Sequence, residues 1–69
     1  MKKYVILIPV YNDRESLTKL IENINSEIEG INSEISIVVI NDASSQQIID
    51  DYQNTENINS IKIINMKEN

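Results

Sequence analysis

Apolar residues along the chain gather into three short runs, with two stretches of helical spacing between them. The first run, Tyr4-Val5-Ile6-Leu7-Ile8, is apolar at every position rather than every second one and stops at Pro9. Continuous apolar character in a run this short predicts a strand buried on both faces, as in a parallel sheet. After it, Leu17, Leu20, Ile21, Ile24 and Ile28 recur at helical offsets, while Lys19, Glu22, Asn23 and Glu27 take the opposite side. This spacing predicts an amphipathic helix. Asn12 is placed to cap it, with Glu15 three residues on as in a capping box, and Gly30 is placed to end it in a left-handed conformation.

The second run, Ile35-Ser36-Ile37-Val38-Val39-Ile40, predicts another strand with mostly buried faces, ending at Asn41-Asp42. A shorter helical pattern follows, with Ser44 or Ser45 as cap and Ile48, Ile49 and Tyr52 on one side. The third run, Ile61 to Met66, mixes in Lys62 and Asn65 and suits a strand nearer the sheet edge. Strands alternating with helices define an α/β chain with a βαβαβ parallel sheet and right-handed crossovers. Residues 1–69 contain no internal repeat, linker or low-complexity tract, so they form one unit.

Composition narrows the chemistry. A 69-residue chain buries only about 60% of the surface its unfolded form exposes, so its own core is marginal. There is no Cys and no His, which removes disulfides, thiolate and imidazole metal ligands, and any imidazole general base. Six Lys and Arg against eleven Asp and Glu give a net charge of -5 without a basic cluster, which argues against a nucleic-acid partner. Met1-Lys2-Lys3 and the apolar run after it imitate a secretory signal, but the run contains Pro9 and leads into Asp13-Arg14-Glu15 with no small-residue cleavage site. No segment approaches the roughly 20 apolar residues of a membrane span. A cytoplasmic location is the expectation.

In open parallel sheets, ligands sit beyond the carboxyl ends of the strands. Those ends carry Pro9-Val10-Tyr11-Asn12 and Asn41-Asp42-Ala43-Ser44-Ser45. Tyr11 offers a flat ring for stacking. Asp42 offers two acceptors, suited to ribose hydroxyls or a base N–H. The residues alone equally permit a structural reading, in which Asn12, Asp42 and Ser44 cap helices and Tyr11 plugs the end of the sheet. With Gly30 as the sole glycine, neither a dinucleotide turn nor a Walker loop exists. Asp50 and Asp51 point about 100 degrees apart on a helix and fit solvated surface better than a metal site.

The strand running into Pro9-Val10-Tyr11-Asn12-Asp13, the amphipathic helix, and Ile37-Val38-Val39-Ile40-Asn41-Asp42-Ala43-Ser44 together resemble the amino-terminal part of the family 2 glycosyltransferases. The resemblance covers essentially the whole chain and implies a Rossmann-like half of the GT-A nucleotide-diphospho-sugar transferase fold. It implies that Tyr11 stacks on the base, usually uracil, that Pro9 and Val10 lend backbone contacts to the nucleoside, and that Asp42 hydrogen-bonds base or ribose. Asn12 and Asp13 would shape and cap the turn. Asn41 stands where that family often has an acid, and Ala43 where it often has Gly, which bears on the choice of nucleotide.

By the same resemblance, the parent enzyme moves a sugar from a nucleotide-diphosphate sugar, with UDP-linked donors expected, and uses a divalent Mg or Mn ion on an Asp-x-Asp element. That element and the catalytic base would lie beyond Asn69. The expectation is therefore an incomplete, donor-binding part with no catalytic or metal-binding residue of its own, working with the remainder of a transferase or with a self-associated copy, at a membrane surface if the missing part supplies one. The alternatives are a non-catalytic binding module that retains the fold, and an unrelated receiver-like domain, which the Pro-Val-Tyr-Asn strand end disfavours. Right-handed crossovers put both helices on one face of the sheet, so the other apolar face and the outer edge of the first strand are expected to lack cover from this chain and to drive self-association.

Overall fold

The structure, a computed structural model, describes residues 2–11, 13–42, 52 and 54–66. Its elements are β1 (Lys2–Val10), α1 (Arg14–Glu27), β2 (Ser33–Asp42) and β3 (Ser60–Met66). The segment predicted as a second helix lies outside the described residues, apart from Tyr52. The three strands form one sheet in the order β1-β2-β3. Both pairings are parallel. Among the described residues the chain is thus an α/β unit, consistent with a Rossmann-like half of the GT-A fold.

Each strand is longer than its apolar run. Pairing carries β1 back to Lys2 and forward to Val10 against Ser33 to Asn41, so polar residues at the ends join because their neighbours are already in register. β2 is central and β3 is at the edge, as its mixed composition predicts.

Side chains alternate between the faces of a strand, and register partners share a face. Ile6, Ile8 and Val10 stand beside Ile37, Val39 and Asn41, and these beside Ile61, Ile63 and Asn65. This face receives α1: Leu17 and Ile21 join Ile8, Val10, Ile37, Val39 and Ile58 in a single core cluster. Ile21, Ile37 and Val39 are fully buried at 0% exposure, and burial of a side chain of this size stabilises by about 1.5–3 kcal/mol.

The opposite face has no such cover among the described residues. Val5 and Leu7 are 61% and 63% exposed, and Ile64 and Met66 remain open on the same side. The apolar pattern that predicts burial on both faces is therefore met on one.

The helix cap falls on the second of the two residues expected to cap the turn. Asp13, not Asn12, is the N-cap: its carboxylate accepts the Ser16 backbone N–H at 3.2 Å. A cap at 13 puts Ser16, rather than Glu15, at the third helical position. Asn12 itself lies outside the described residues. Gly30 does take the left-handed conformation expected of it, with φ of 82°, two residues beyond the Ile28 C-cap.

At the amino ends of the strands, polar side chains tie the layers together. Asn25, buried on α1, accepts the Asn57 backbone N–H at 2.7 Å through Oδ1, and its own carbonyl accepts from Asn57 Nδ2 at 3.0 Å. The loop before β3 is thereby fixed to the helix, and Asn59 donates its backbone N–H to the Ile35 carbonyl at 2.7 Å. Asn54 sits at φ of 56° in this loop, a conformation that asparagine tolerates better than most residues.

Candidate functional site

The carboxyl end of the sheet is where β1 turns into α1 and where β2 runs out. Tyr11 and Asp42 each come one residue after the register pair Val10–Asn41. Adjacent strands lie about 4.8 Å apart, so the two side chains belong to neighbouring strand tips. Both are exposed. Tyr11 is 67% exposed, so the reading in which it plugs the end of the sheet does not hold. An aromatic side chain gains nothing from facing water, and a ring displayed beside a turn is free to stack on a planar ligand.

Tyr11 borders a hollow of about 250 Å³, lined also by Pro9, Val10 and Asp13 and, from α1, by Ser16 and Leu20. Four of the six site residues expected from sequence are thus brought together. Asp42 stands outside the hollow at the next strand tip, and Asn12 lies outside the described residues. The floor is built from β1: Val10 is buried against the core while Pro9, on the other side of the strand, is exposed. The volume falls below the roughly 300–1,000 Å³ of a complete small-molecule pocket. It can hold one planar portion of a ligand, with the remainder contacting other residues.

The chemistry of the rim favours neutral hydrogen-bond donors. The Asp13 carboxylate accepts from the first turn of α1 through Oδ1, and Asp42 is a second exposed acceptor at the tip of β2. Carboxylates repel phosphate but accept well from ribose hydroxyls and base N–H groups. The exposed rim therefore suits neutral hydroxyl or N–H donors better than anions. Among the described residues no three or more Asp, Glu, His or Cys side chains are grouped to hold a metal ion.

Asn41, the position where an acid is common in the resembling family, is 5% exposed and points to the helix-covered face, away from Asp42. Its Nδ2 donates to Asn65 Oδ1 at 2.9 Å across the tips of β2 and β3. The amide at 41 thus makes a side-chain bond between β2 and β3 on the covered face. Asn65 went unrecognised in the sequence, where its signal is faint: it is a polar residue in an apolar run, in the same alternation as Ile61 and Ile63.

Comparison with known proteins identifies the family. The profile of the family described as Glycosyl transferase family 2 matches residues 5–69. The match spans both strand-tip segments, and the chain belongs to that family. No solved structure matches it. No helix among the described residues is long and apolar enough to cross a membrane.

Proposed function

We propose that this chain is the donor-nucleotide-binding portion of a glycosyltransferase, holding the nucleoside end of a nucleotide-diphosphate sugar, UDP-linked by preference. The observation that carries this reading is the exposed Tyr11 ring bordering a hollow at the carboxyl end of a parallel sheet, with Asp42 at the adjacent strand tip. In this reading Tyr11 stacks on the base, the Pro9 and Val10 backbone lines it, Asp42 accepts from base or ribose, and Asn12 and Asp13 form the turn. The leaving diphosphate must be stabilised by a divalent ion or an equivalent positive charge. We assign Mg or Mn to residues of a longer parent enzyme, so this chain alone is expected to bind but not to transfer sugar. A cytoplasmic site of action belongs to the same reading, with any membrane surface reached through the rest of that parent.

Calorimetric titration with UMP and UDP tests the proposal. Weak, saturable heat is expected, and its absence up to millimolar nucleotide would count against it.

A second reading, an interaction module, is favoured by one specific observation: Val5, Leu7, Ile64 and Met66 are exposed on a single sheet face. Clustered apolar exposure of this kind marks contact surfaces. Self-association through this face or the open β1 edge is expected in sedimentation velocity. A clean monomer that also fails to bind a hydrophobic dye would exclude it.

A further inference from the structure

We propose that Asn41 and Asn65 are positioning residues for Asp42, acting as an amide clamp across the tips of β2 and β3. The inference rests on the nucleoside-binding reading above for its functional half. Val10, Asn41 and Asn65 occupy one row of the sheet, the last in which all three strands are paired on the covered face. Strand ends open more readily than strand centres, because fewer contacts hold them. At this row the apolar core gives way to a polar pair: Asn41, 5% exposed, donates to Asn65 Oδ1 at 2.9 Å.

Breaking one hydrogen bond of a buried amide costs free energy, so the pair resists separation of the two tips. Asp42 is the next residue and points to the other face by strand alternation. Holding the Asn41 side chain fixes the backbone from which the Asp42 carboxylate projects. A carboxylate at 65 still accepts from Asn41 Nδ2.

The test compares N65A, which removes the acceptor, with N65D, which keeps one, in the full chain. Hydrogen exchange is measured at the backbone amides of residues 41, 42, 65 and 66, and affinity is measured with uridine, whose neutrality keeps the added charge of N65D from acting on it. N65A is expected to accelerate exchange at the strand tips by about three- to tenfold, the worth of one net hydrogen bond, and to weaken uridine binding by a comparable factor. N65D should match the wild type in both, and amides at Ile21 and Ile37 should be unchanged throughout.

Exchange in N65A equal to the wild type overturns the clamp, as does N65D behaving like N65A. Faster exchange with unaltered uridine affinity overturns its positioning role. Should the wild type fail to bind uridine, the nucleoside reading falls, and the exchange comparison alone decides whether Asn65 holds the Asp42 tip.

Discussion

The two ends of the sheet are built from similar residues and treated differently. At the amino end, polar groups are tied to one another: Asn25 to Asn57, and Ser36 to both Ser60 and Asn59 at 3.1 and 3.2 Å. At the carboxyl end, Tyr11 and Asp42 are left open beside a hollow. Polar groups satisfied internally hold a fold, whereas an exposed ring and carboxylate at neighbouring strand tips are available to a ligand. The difference predicts that substitutions at the tied amino-end residues cost stability and those at the open Tyr11 and Asp42 cost affinity.

The largest effect tests the layer on which both ends depend. Ile21 is fully buried under α1, and Ile21→Ala is expected to cost about 2–5 kcal/mol. In a domain this small that suffices to unfold much of the population, read by urea denaturation, and binding should vanish with the fold. Asn25→Ala comes next. It removes the buried acceptor of the Asn57 N–H, for an expected loss of about 1–3 kcal/mol with no change in nucleotide affinity per folded molecule. An affinity loss in that variant would erase the distinction between the ends.

Tyr11→Ala inverts the pattern. Stacking a base on an aromatic side chain is worth about 1–3 kcal/mol, so affinity should fall about tenfold while the melting temperature hardly moves. Ser36→Ala is the smallest: the hydroxyl pair it breaks is exposed, and a change of under about 0.5 kcal/mol is expected in the melt.

Much of the fold could be read in the sequence because short, continuous apolar runs admit few arrangements other than buried parallel strands. The strand start could not, since Lys2 and Lys3 are recruited by pairing with β2 rather than by their own character. Asn12 and Asp13 are both competent caps, and only the path of the chain decides between them. Asn25 looks like the polar side of a helix until its partner, 32 residues later in sequence, folds against it. Both faces of the sheet look equally apolar in sequence, and the placement of α1 leaves Val5 and Leu7 exposed. Tyr11 stood out at a predicted strand end, whereas roles for Pro9, Val10 and Asp13 came only through the resemblance to family 2 glycosyltransferases. Asn65 did not stand out, because its role arises from a register with Asn41 that no local pattern announces.

The central claim is that the carboxyl end binds a nucleoside. Titration of isotope-labelled protein with UMP, followed by backbone amide shifts, tests it most directly. The account predicts saturable shifts at Val10, Tyr11, Asp13 and Asp42, with residues 56–59 at the amino end unmoved. No shifts at millimolar UMP, or shifts confined to the amino end, would contradict it.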